Sequence, residues 1–107
     1  MNEPRRGEVW WIEVPGAGRR PALVLTRGAA IPHLSRIVVA PATRTVRGIP
    51  TEVELDGADG MPARCVLSLD NVRVVPKASM RERITRLSGE RMDQVCAALR
   101  VAVACGR

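Results

Sequence analysis

At 107 residues, with 46% hydrophobic content but neither Phe nor Tyr, the chain fits one small domain over residues 1–107, with a core of Val, Leu, Ile, Ala and Met. A formal charge of +6, carried by 16 arginines and one lysine, attracts polyanions such as nucleic acid, although an arginine-rich solvated surface has the same composition. One histidine and three cysteines without C-x-x-C spacing argue against a zinc constellation within one chain, and without a long apolar stretch neither a signal peptide nor a membrane span is expected.

The predicted elements begin with Val9 to Val14 and Ala22 to Thr26, strands rich in β-branched and aromatic residues. Pro15-Gly16-Ala17-Gly18 between them has turn chemistry. Arg36 to Ala40 predicts a third strand. In Thr51 to Leu55 a period of two sets Val53 and Leu55 on one face and Glu52 and Glu54 on a wet one. Gly57, Gly60 and Pro62 mark a turn, Cys65 to Leu69 and Val72 to Val75 are further short strands, and Ile84 to Leu87 is one more. Met92, Val95, Cys96, Leu99 and Val103 then follow helical spacing, with Ser88 as N-cap, Glu90 at the positive end of the dipole and Gly106 as the stop. Short strands followed by one helix predict a mainly β fold, a small barrel or strongly curved antiparallel sheet with the C-terminal helix packed on it.

The chemistry-bearing residues sit at strand ends. No G-x-S-x-G, phosphate-binding glycine loop or metal-ligand spacing occurs, so no cofactor and no metal is expected. His33 beside Pro32 reads as a surface histidine, and Cys65, Cys96 and Cys105 as buried free thiols suited to a reducing cytoplasm. Arg20, just before Pro21, could be held in a fixed direction or could merely close a surface turn. Thr43 could offer a hydroxyl to the same place or could be an ordinary strand-end residue. If the apolar runs Ala22 to Leu25 and Ile37 to Ala40 are neighbouring strands, a guanidinium, a hydroxyl and another guanidinium meet at one end of a sheet, a plausible place to grip or cut RNA.

Four ordered blocks carry a resemblance. Arg6-Gly7-Glu8-Val9-Trp10, Gly18-Arg19-Arg20-Pro21-Ala22-Leu23-Val24-Leu25, Pro41-Ala42-Thr43 with Gly48-Ile49-Pro50-Thr51-Glu52-Val53, and Leu69-Asp70-Asn71-Val72-Arg73 together resemble the MazF/PemK toxin family. The resemblance implies an SH3-like barrel of the CcdB/MazF type and a homodimer. It also implies a metal-independent endoribonuclease that cuts single-stranded RNA at short sequences, leaving 2′,3′-cyclic phosphate and 5′-hydroxyl ends. Arg20 and Thr43 then match the catalytic pair, and Arg19, Arg44, Arg47, Asn71 and Arg73 are the candidates for holding RNA. A cognate acidic antitoxin with a disordered inhibitory segment is the implied partner. Two rivals stay open: a non-enzymatic inhibitor of gyrase like CcdB, and a basic RNA-binding module that never cuts. CcdB-like chains rely on an apolar, tryptophan-bearing C-terminus, whereas this one ends Ala104-Cys105-Gly106-Arg107.

Overall fold

A computed structural model describes residues 3–105 of the chain. Seven strands precede one helix: β1 (Glu8–Val14), β2 (Gly18–Val24), β3 (Arg36–Thr43), β4 (Glu52–Leu55), β5 (Cys65–Ser68), β6 (Arg73–Pro76), β7 (Met80–Arg86) and α1 (Gly89–Val103). The strands form one antiparallel sheet in the order β4-β5-β3-β2-β1-β7, with β6 also paired to β3. The long β3 thus holds β6 with its first half and β5 with its second along one edge.

Side-chain alternation divides the core in two. On β1, Val9 packs with Leu23, Leu55 and Val95 under the helix, whereas Trp10 and Ile12 pack with Val24, Ile37 and Val39 on the other face. β4 keeps the predicted alternation, with Val53 and Leu55 buried.

Ser88 caps α1 as expected, its hydroxyl accepting from the Arg91 amide at 3.1 Å, with Glu90 in the first turn. The chain leaves the helix through Ala104 in the left-handed region, and Gly106 lies outside the described residues. The buried stripe differs from the predicted one. Val95 and Ala98 are its centre, flanked by Met92, Leu99 and Ala102, while Val103 is 56% exposed. At 3.6 residues per turn Val103 lies about 80° around the helix from Val95, and Ala102 falls almost in line with it.

Other boundaries also move. β2 begins at Gly18, so Arg19 and Arg20 lie within the strand and not ahead of it; β3 runs on to Thr43, and β7 begins at Met80. Each of these extensions carries polar or proline residues that hide the strand period.

The sheet curls without closing into a barrel by strand pairing. Among the described residues no ladder joins β4 to β7. Instead the Thr85 hydroxyl donates to the Asp59 carbonyl at 2.8 Å, and Arg91 Nε donates to the Asp59 carboxylate at 2.9 Å. Gly60, at φ +88°, permits this approach, since a Cβ there would lie 2.9 Å from Thr85 Cβ.

Candidate functional site

The site is built where two strands part. The β2–β3 ladder ends at Ala22↔Pro41. Beyond it, Gly18 to Pro21 stay paired with β1, while Ala42 and Thr43 pair with β5. Pro21 and Pro41 have no amide hydrogen to extend the ladder. Continued by two residues, the register sets Arg20 opposite Thr43, both beside an open cleft.

On one side of this seam lies a hollow of about 350 Å³. Its wall brings together Arg20, Thr43, Arg47, Asn71 and Arg73, five residues singled out from the sequence. Thr43 Oγ1 accepts from the Thr45 amide at 3.2 Å, which fixes the hydroxyl and leaves its hydrogen to donate. Asn71 is oriented by its amide donating to Ser68 Oγ at 2.7 Å. Among the described residues no carboxylate forms an ion pair with Arg20, Arg44, Arg47 or Arg73, so these cations remain available to a ligand.

The same wall holds two carboxylates that the sequence reading did not assign to a site, Glu52 and Asp70. Glu52, expected on a wet strand face, accepts from the Arg47 and Gly48 amides at 3.0 and 2.9 Å and pins the 44–50 loop. Asp70 accepts a 2.5 Å hydrogen bond from the buried Thr51 hydroxyl. Adjacent loop amides gave no sequence signal for Glu52, because the contact depends on how the loop folds back.

Across the seam, a second hollow of about 590 Å³ is lined by Arg19, Arg20, Thr43 and Arg44 together with Trp11, Met61 and Cys65. Arg19 lies over the Trp11 ring, 5.3 Å from its centroid, and reaches Glu82 at 3.7 Å. Burial and the nearby Asp59 charge push the Cys65 thiol up, with Arg44 partly opposing, so this sulfur stays protonated near neutral pH.

A more voluminous hollow, about 1100 Å³, lies elsewhere, between the N-terminal segment, β7 and the start of α1. Size does not decide in its favour. Two of its cations are already engaged, Arg6 donating to the Leu25 carbonyl and Arg83 to Glu8, and its wall holds no hydroxyl side chain. His33 is exposed on a short 3-10 turn, as expected. All three cysteines are free, but only Cys65 is buried; Cys96 is half-buried beside Arg6 and Cys105 is exposed, because the helix end extends past the core. Among the described residues no three of His, Cys, Asp and Glu cluster closely enough to hold a metal ion, and no helix is long and apolar enough to cross a membrane.

Residues 5–103 match the family described as the PemK-like, MazF-like toxin of type II toxin–antitoxin systems. The chain is 50% identical over 105 residues to a Mycobacterium tuberculosis protein named "Probable endoribonuclease MazF5", covering 97% of this chain and 96% of that one. A second relative from the same species, named for MazF2, is 42% identical over 94% of this chain and 99% of its own length. The fold superposes on the Mycobacterium tuberculosis toxin MazF-mt6 with TM-score 0.84 at 32% identity, covering 91% and 96% of the two chains. It also superposes on a mycobacterial endoribonuclease solved in complex with its cognate antitoxin, with TM-score 0.89 at 25% identity over 97% and 98%.

Proposed function

This chain belongs to the PemK-like, MazF-like toxins of type II toxin–antitoxin systems, and from that premise we propose that the cleft between β2 and β3 cuts single-stranded RNA. One observation carries the assignment to this cleft. The register, continued two residues past its last rung, brings Arg20 and Thr43 to the open end of a ladder, amid cations that form no ion pair with a carboxylate among the described residues.

The reaction suited to these groups is attack of a ribose 2′-hydroxyl on its own adjacent phosphate. The O2′–P bond forms, the P–O5′ bond breaks, and the ends are a 2′,3′-cyclic phosphate and a 5′-hydroxyl. Arg20 offers a planar two-pronged donor to the oxygens of the crowded phosphorane, and the Thr43 hydroxyl adds a third hydrogen bond. A guanidinium holds its proton too tightly to act as the base. Asp70 and Glu52 are the carboxylates that line the smaller hollow; two loop amides share Glu52 Oε1, and the Thr51 hydroxyl donates to Asp70 Oδ2, so among the described residues each accepts through one oxygen. Asp70, the more exposed of the two, is assigned to take the 2′-hydroxyl proton, and the departing O5′ takes a proton from solvent water. Arg44, Arg47 and Arg73 hold flanking phosphates, Arg19 and Asn71 complete the RNA contacts, and no metal enters the step.

The partners follow the same reading. Two copies join as a homodimer, which lets so short a chain bury more apolar surface. An acidic antitoxin segment, disordered when free, orders across the cationic cleft and blocks it. Three free thiols suit a reducing cytoplasm.

The test is to incubate purified protein with a long single-stranded RNA in excess EDTA and sequence the new 5′ ends. Cuts at one recurring short sequence, with 5′-hydroxyl ends, support the proposal. Intact RNA returns the chain to the non-cutting readings, and 5′-phosphate ends or dependence on added metal overturn the mechanism.

A further inference from the structure

The chain has two tryptophans, and the fold uses them differently. Trp10 is buried and donates its indole nitrogen to the buried Glu8 carboxylate at 3.0 Å. Trp11, one residue on, points to the opposite face, is only partly buried, and lines the larger hollow beside Arg20 and Thr43. With two tryptophans and neither Phe nor Tyr, the chain has few rings on which a base could stack. The structure exposes an indole next to the reacting groups.

The surroundings of that ring narrow what it can hold. Arg19 covers it as a cation held also by Glu82, and both members of that ion pair are more than half exposed, so the pair is easily opened. Met61, Pro62 and Ala63 supply an apolar wall, while Arg20 and Arg44 stand on the same hollow. An acidic peptide would use the cations and leave a flat aromatic surface idle. A nucleotide uses both, its base stacking on the ring or on the guanidinium and its phosphates meeting the neighbouring arginines.

We propose that Trp11, with Arg19 stacked on it, is the platform for one unpaired base of the RNA adjacent to the cleaved bond. This rests on the reading that the cleft cuts RNA. It adds a base-binding position to a site otherwise made of phosphate contacts, and so a source of preference for where the strand is cut.

The test uses a short RNA spanning a cut site mapped on a long RNA, made uncleavable by a 2′-deoxy residue at the attacking position. Each neighbouring base is removed in turn to leave an abasic residue, and binding is measured for the parent, Trp11→Ala and Trp11→Phe. At one position, base removal should weaken the parent about 5- to 150-fold, the range that loss of one base–aromatic stack gives. The same removal should leave Trp11→Ala almost unchanged, and Trp11→Phe should restore most of the parental response. A structural role for Trp11 predicts no such coupling. The parent alone gives an independent reading: its tryptophan emission should be quenched by the intact oligonucleotide and not by the one abasic at that position.

Equal losses at every position in the parent and Trp11→Ala, or no quenching on binding, overturn the platform while leaving the cleavage reading intact. Failure of the parent to bind or cut any RNA removes both.

Discussion

Arg20 on β2 and Thr43 on β3 each lie two residues past Ala22↔Pro41, the last paired rung between their strands, and line the same two hollows. Each strand is rigidly held by its other neighbour, β1 for Arg20 and β5 for Thr43. The pair therefore sits on paired backbone at the edge of an opening, as the proposed cleavage step requires of groups that must not reorganise.

Thr43→Val keeps the side-chain shape and deletes the hydroxyl. It should slow cleavage by about tenfold, the worth of one hydrogen bond, through loss of the donor and of the Thr45 amide contact. Single-turnover cleavage rates of the two proteins check this.

Asp70→Asn keeps the volume and removes the proton acceptor. It should lower the rate by a factor on the order of 10²–10⁴. Single-turnover cleavage rates of the two proteins check this. A variant that cuts at the parental rate would take Asp70 out of the reaction.

The strap between Asp59 and Arg91 predicts an acid sensitivity. Burial pushes the Asp59 carboxyl up, but hydrogen bonds from Arg91 and the Asp56 amide and the Arg91 charge outweigh it and hold the folded value below 3.8. A lowered folded value means that this stabilisation is fully present above about pH 3.8 and is lost as pH falls through the folded value. Melting temperature should therefore fall more steeply below that pH in the parent than in Asp59→Asn, which is already weakened near neutrality. Parallel curves would show that the strap contributes nothing to the pH dependence.

Inhibition by the antitoxin should be electrostatic. With Arg20, Arg44, Arg47 and Arg73 unpaired among the described residues, binding of an acidic segment should weaken as salt rises. Calorimetry at several ionic strengths measures the slope, and a salt-independent complex would contradict occlusion by charge.

Much of this was legible in the sequence because strong periodicity survives folding. Glu52-Val53-Glu54-Leu55 and the Ser88-capped helix appear where the pattern puts them. The first half of β2 was hidden because Arg19 and Arg20 are both exposed and carry no alternation of burial. Ala98 and Ala102 were overlooked as core because small side chains give a weak apolar signal, whereas Val103 gave a strong one and faces outward. Adjacent tryptophans on a strand must point to opposite faces, but which of them meets the cleft depends on the register with β2 and β7. Asp70, on the turn after β5, and Glu52, at the start of β4, reach the cleft because β5 lies between β4 and β3 in the sheet, an order that no local pattern encodes.

Whether Arg20 stabilises the transition state of RNA cleavage is read most directly from the single-turnover cleavage rate of Arg20→Ala beside its melting curve. The rate should fall by a factor on the order of 10²–10³, as for removal of one donor to a developing oxyanion. Melting should be almost unchanged, because the side chain is exposed and pairs with no carboxylate of the described protein. Arg20→Lys should recover little, since an ammonium keeps the charge and lacks the planar fork. Cleavage by Arg20→Ala at the parental rate, with parental melting, would contradict the account.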